Sequence, residues 1–173
     1  MDKKIFLVSA VVCIITHIIR LIYEILKHKQ ILKANKLSFV IIFTNMILLW
    51  CSWVVLCVFD IQKIEISGII RYFGISLSGI GIVIFLVAFF TIKSLESYEG
   101  DLITKGIYSI VRHPMYLGFI LWLIGLPLFF EGLFSLILSI IFISNILFWR
   151  LLEEKELVKR FSSYMDYRKK TIF

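Results

Sequence analysis

Five long, mainly apolar runs constrain this chain more than any other feature. They lie at about 5–26, 38–59, 69–92, 115–130 and 133–149. A helix needs about 20 apolar residues to cross the ~30 Å hydrocarbon core of a bilayer. Hydrophobic residues make up 60% of the 173, and the mean hydropathy is +0.96, where a soluble domain is about 45–50% apolar. The expected fold class is an all-α integral membrane protein with five transmembrane helices, forming a single membrane domain over 1–173. Lysines precede the first run, as in a signal peptide. The run is too long for a signal core and no small-residue cleavage pattern follows it, so a retained first helix is expected.

The connections set the topology. Four Lys lie at 27–37 (Lys27, Lys29, Lys33, Lys36), three basic residues at 93–114 (Lys93, Lys105, Arg112) and seven from Arg150 onward. The opposite side carries Lys3, Lys4, Lys63 and Arg71, with Arg20 inside the first run. Positive residues collect on the cytoplasmic side. The C-terminal helical tail and the 93–114 connection are therefore expected in the cytoplasm and the N-terminus outside, in the plasma membrane of a prokaryote. The last two runs are separated by Glu131-Gly132 alone, which requires a tight hairpin of helices four and five. That hairpin carries "VRHP" (111–114) and "RLLEE" (150–154) to the same membrane face.

Composition excludes several classes of function. Cys13, Cys51 and Cys57 sit inside apolar runs without CxxC or Cys/His ligand spacing, which argues against a disulfide framework and against zinc. The net charge of +7 resides at helix ends, where it suits a membrane surface and lipid headgroups rather than nucleic acid.

Two polar clusters stand out. In "VRHPMY", Pro114 suits the first turn of a helix. The free N–H groups of that turn form a natural anion site, to which Arg112 adds a planar cation and His113 a hydrogen-bonding ring. The other reading is an interfacial anchor in which Arg112 snorkels to headgroups while Tyr108 and Tyr116 join an aromatic belt. In "RLLEEKELVKRFSSYMDYRKK", Arg150 and Glu154, and Glu156 and Arg160, stand at i,i+4. That segment reads either as a solvated amphipathic helix or as a carboxylate source facing the hairpin mouth.

The first run carries His17, Arg20 and Glu24 on one face. Ionisable groups at such depth are costly and point first to function; the other reading, favoured here, is helix packing and snorkelling with an Arg20–Glu24 pair, and the choice is open. Gly74 and Ser78, with Gly79 and Gly81 nearby, mark a close helix–helix contact on the third run.

The stretch "LITKGIYSIVRHPMYLGFILWLIG", then "RLLEEKELVKRF" and "YMDYRKK", resembles the isoprenylcysteine carboxyl methyltransferase family, within a wider group that includes phospholipid N-methyltransferases. The likeness covers about residues 95–170, so residues 69–173 would form the cofactor-binding core and 1–68 the variable helices one and two. The resemblance implies an S-adenosyl-L-methionine pocket at the hairpin mouth. It implies backbone contacts from Gly100, Leu102 and Ile103, and walls from Tyr108, His113, Pro114, Met115 and Tyr116. Glu153 or Glu154 would hold the cofactor, the choice being open, and Arg150 would face the acceptor. "FSSY" is one residue shorter than the family pattern, and "KKTIF" lacks the family's Pro-containing ending.

Methyl transfer from a sulfonium needs no metal, and alignment alone contributes about 7–11 kcal/mol. A carboxylate acceptor needs no base, whereas a phenol, enol or amine would draw on His113. The expected activity is therefore methyl transfer to a lipophilic membrane-embedded acceptor, foremost an isoprenylcysteine-type carboxylate. Phospholipid amines, polyketide hydroxyls and thiols are the alternatives. An NADPH-dependent membrane reductase and a non-catalytic membrane subunit are the competing classes.

Overall fold

The computed structural model describes residues 2–32, 35–92 and 101–173. Six helices appear there: α1 (Asp2–His28), α2 (Lys36–Val58), α3 (Gly68–Ile92), α4 (Pro114–Phe130), α5 (Leu133–Arg160) and α6 (Tyr164–Lys170). A 3-10 turn at Gly106–Ser109 precedes α4. Four helices, α1, α2, α3 and α5, are long and apolar enough to cross a membrane, and α4 is shorter at 17 residues. Large apolar side chains such as Ile69, Phe90 and Ile140 point outward, which a bilayer accommodates and water does not. This is a membrane protein.

The expected boundary of the last run at residue 149 is not a helix end. α5 continues through the charged segment to Arg160, 28 residues in all. At 1.5 Å per residue that is about 42 Å, against a ~30 Å apolar core. About eight residues therefore stand clear of the apolar layer, and they are the ones rich in charge. The separate part of the tail is only the turn after Arg160 and the short α6.

α3 and α4 pack with almost no separation. A Cβ on Gly74 would fall 2.7 Å from the Gly125 carbonyl oxygen, and one on Gly81 would fall 2.6 Å from that of Gly118. The small residues expected on α3 thus meet a matching pair seven residues apart on α4. Gly79 has open space around it and takes no part.

The hairpin turn is built by its neighbours as much as by its own residues. Glu131 adopts a left-handed φ of 57°, and the Gly132 N–H donates to the Pro127 carbonyl at 3.0 Å. Gly132 has an ordinary backbone. It is needed because a Cβ there would run into Asp60 and Ser135. Buried Asp60 accepts from the Ser135 N–H at 2.7 Å and from the Gln62 N–H at 3.0 Å, so it caps α5 from another part of the chain. Lys63 Nζ donates to the Phe130 carbonyl at 2.9 Å and reaches Cys57 and Val58 carbonyls at 3.4 Å. An anion thus meets the positive end of one helix and a cation the negative ends of two.

Candidate active site

α4 starts where its sequence directs. Pro114 occupies the first turn, His113 is the N-cap residue, and the Leu117 N–H donates to the His113 carbonyl at 3.0 Å. The hairpin then returns α5 so that Glu153 and Glu154 stand beside this N-terminus. His113 Nδ1 is 3.6 Å from Glu153 Oε2, and Nε2 is 3.4 Å from Glu154 Oε1. The ring is 5% exposed, and its Nε2 closes no hydrogen bond with the described residues.

The two adjacent carboxylates have different surroundings. Glu154 is buried among cations: Arg112 Nε at 3.4 Å, Arg168 Nη1 at 3.8 Å and Arg150 Nε at 3.9 Å. Contact with His113 does most to lower its pKa to about 2, burial opposes this, and the charges of His113, Arg168 and Arg112 add to it. Burial pulls the His113 pKa down, but contacts with Glu153 and Glu154 and their charges outweigh it and raise the value above 6.5. Glu153 is 46% exposed at its side chain and faces a cavity.

Arg112 also fastens the end of the chain. It donates to the carbonyls of Thr171 at 2.6 Å and Arg168 at 3.1 Å. Its backbone N–H donates to the Ile172 carbonyl at 3.0 Å, and the Ile172 N–H to that of Ile110 at 2.9 Å. α6 is thereby held over the α4 N-terminus, with the Tyr167 hydroxyl donating to the Tyr108 carbonyl at 2.6 Å.

These elements enclose a cavity of about 200 Å³. Its acidic lining is Asp101, Glu153 and Glu156, and its tyrosines are Tyr108, Tyr116, Tyr164 and Tyr167. Apolar side chains reach it from α2 (Met46), α3 (Ile92) and α4 (Met115, Phe119), and cationic ones from α1 (Arg20, Lys27) and α5 (Arg160). Tyr164 is fully buried and its hydroxyl has no partner among the described residues.

Of the residues singled out from sequence, Leu102, Ile103, Tyr108, His113, Met115, Tyr116 and Glu153 line this cavity. Pro114 is buried behind it at the start of α4. Glu154 stands behind it as the centre of the cationic cluster. Arg150 does not line it: its guanidinium carbon lies 4.8 Å from the centroid of the Phe173 ring. Gly100 lies outside the described residues.

Sequence reading missed the contribution of α1 and the choice between the two carboxylates. A signal was present for the first. On α5 the buried residues Ser135, Ser139, Phe142, Ile146 and Trp149 are followed by buried Glu154, while the cavity-lining glutamates are Glu153 and Glu156. On α1 the stripe through Phe6, Ser9, Cys13, Thr16, Arg20 and Tyr23 extends to Lys27.

The sequence profile of the family described as phospholipid methyltransferase matches residues 69–163, which is more than half of the chain. The chain belongs to the phospholipid methyltransferase family. The matched span holds α3, the α4–α5 hairpin, His113 and both glutamates, and ends just before α6. Two relatives are named protein-S-isoprenylcysteine O-methyltransferase. The one from Saccharomyces cerevisiae is 36% identical over 81 residues, covering 46% of this chain and 34% of the relative. The one from Schizosaccharomyces pombe is 39% identical over 85 residues, with the same coverage of 46% and 34%. The chain spans about a third of the length of these curated relatives. No solved structure matches.

Proposed function

We propose that this protein is an S-adenosyl-L-methionine-dependent methyltransferase whose acceptor is a lipophilic molecule carrying an isoprenylcysteine-type carboxylate, methylated to its ester. One observation carries this reading. One cavity is lined both by polar side chains at the α4 N-terminus and on α5 and α6 and by apolar side chains of three membrane helices. Such a cavity suits a polar donor and an apolar acceptor meeting at the membrane surface. The isoprenylcysteine O-methyl transfer named in the two yeast relatives supports this acceptor, and the family match supports methyl transfer. In this arrangement α4 makes a fifth, shorter crossing, and the cavity opens to the cytoplasm, in keeping with the clustered basic residues.

The lining fits the donor. Its cationic centres match Glu153 and Asp101, its adenine ring matches the flat faces of Tyr108, Tyr116 and Tyr164, and its carboxylate matches Arg160. The Tyr164 hydroxyl is a buried polar atom with no partner among the described residues, and such atoms are rare unless a ligand or water completes them. When bound, the donor supplies a sulfonium methyl group. Held by Glu153, Asp101 and the tyrosines, it would give that methyl group to the acceptor oxygen and leave as the neutral thioether.

The protein's share is placement. Glu154 and the Arg112 network fix the position of His113 and of α6, and Glu153 presents its charge into the cavity. α6 with Tyr164 and Tyr167 limits water access, which strengthens each polar contact inside. An ionised carboxylate acceptor requires no proton removal, so His113 acts by holding and orienting rather than as a base.

Calorimetry of detergent-purified protein with S-adenosylhomocysteine tests the donor. Saturable heat, lost in Glu153→Ala and His113→Ala, is expected. Absence of heat together with protection by NADPH against thermal unfolding points to a reductase, and protection by neither ligand points to a non-catalytic subunit. Transfer of a labelled methyl group into a base-labile product tests the ester.

A further inference from the structure

We infer that Arg20, on α1, is the residue that binds the acceptor head group, and that it selects an anionic one. The inference rests on the methyltransferase reading and assigns the acceptor end of the cavity. Arg20 lines the cavity although it is nearly a hundred residues away in sequence from the polar cluster and lies outside the family-matched span. It is 7% exposed and ion-paired with Glu24. Its guanidinium carbon stands 5.7 Å from the ring centroids of both Tyr23 and Trp149. Its Nε is buried with no partner among the described residues.

A guanidinium offers five N–H donors in one rigid plane. Here Glu24 and two aromatic rings fix that plane, yet one buried donor is unused. A buried unpaired donor is costly, and this one belongs to a side chain that lines the cavity. An incoming carboxylate would do so with a charge-assisted bond.

Arg20 stands where this end meets the donor end: with Tyr116 and Glu153 it also lines a second cavity of about 60 Å³. Met46 of α2 and Phe119 of α4 line the cavity with Arg20. They also line a smaller apolar cavity of about 20 Å³ that reaches His17, one turn back on the Arg20 face of α1. An apolar chain lying along Met46 and Phe119 would bring its head to Arg20. His113, Glu153 and Tyr164 come instead from α4, α5 and the segment after it. Arg150, the cation implied by family resemblance to face the acceptor, is stacked on Phe173. The shared part of the chain would thus hold the donor, and α1 would choose the acceptor.

The test uses dodecylthioacetate and its uncharged analogue dodecylthioacetamide, with binding read from tryptophan fluorescence of the purified protein. The wild type is expected to prefer the acid by about tenfold, the effect of one charge-assisted hydrogen bond. Arg20→Gln is expected to bring the ratio close to one, while Arg20→Lys keeps part of the preference. S-adenosylhomocysteine affinity should stay within about twofold in both. Equal binding of the two probes by the wild type overturns the inference, as does a preference that survives Arg20→Gln. If Arg20→Gln does not fold, Arg20→Lys decides: a loss for the acid alone supports the role, and an equal loss for both probes overturns it. An acid preference in wild-type protein that gives no heat with S-adenosylhomocysteine would remove the methyltransferase reading and leave the anion site standing.

Discussion

The two ends of the helix bundle use charge in opposite ways. At the hairpin end, Asp60 and Lys63 spend their hydrogen bonds on backbone groups that helix ends leave open. At the cavity end, Arg20 Nε and the Tyr164 hydroxyl are buried without hydrogen-bond partners among the described residues. Charges there also crowd side chain against side chain, with one carboxylate, Glu154, facing three arginines and a histidine. A polar group that completes the backbone contributes to stability and has little left to offer a ligand. One held in place but incompletely bonded retains that capacity.

If this contrast is right, substitutions at the two ends should separate stability from binding. The largest effect is expected from Glu154→Ala, which strips the shared anion from its buried cations. Breaking such a pair costs about 3 kcal/mol or more, so thermal unfolding should shift sharply down and ligand affinity fall with it. Next comes Glu153→Gln. It should weaken S-adenosylhomocysteine by about 10- to 100-fold, the worth of a charged hydrogen bond, while the unfolding temperature barely moves. Asp60→Ala should do the reverse. A loss of about 1–3 kcal/mol is expected from the unpaired Ser135 N–H of α5 and the Gln62 N–H, with affinity for the protein that remains folded unchanged.

A smaller, reversible effect is expected from pH. The His113 pKa is raised above 6.5, so its stabilisation is complete below 6.5 and is lost as pH rises through the folded value. The Glu154 pKa is lowered from 4.5 to about 2, so its stabilisation is present above 4.5 and is lost as pH falls toward 2. The unfolding temperature should therefore be highest between about 4.5 and 6.5 and decline on the alkaline side, and Glu154→Gln should flatten that decline. The smallest effect is expected from Arg150→Gln. Facing Phe173 rather than the cavity, Arg150 should change S-adenosylhomocysteine affinity by less than about twofold, measured by calorimetry; a large loss would return it to the donor site.

Much of this was legible in the chain itself. The apolar runs give the helices, Glu131-Gly132 gives the hairpin, and "VRHP" and "RLLEE" meet as that hairpin requires. The glycines of α3 announce a close contact, although Gly79 is not part of it. What local pattern does not supply is rotation and distance. Adjacent residues on a helix point about 100° apart, so Glu153 and Glu154 look alike in sequence and diverge in space. Only the folded surroundings separate them, Glu154 lying among arginines and Glu153 on the cavity. Arg150 fits the family spacing, yet the ring of Phe173 occupies its guanidinium face. Arg20 pairs locally with Glu24, which makes it look satisfied until α2, α4 and α5 close around it.

The unbroken length of α5 has one more consequence. It is fixed by Asp60 at one end and bears Glu153 near the other, with no hinge between. It therefore behaves as a ruler that sets the height of the cavity from the opposite membrane face. Bilayers of shorter or longer acyl chains would meet that fixed height with hydrophobic mismatch, and in reconstituted vesicles turnover should pass through an optimum in lipid chain length.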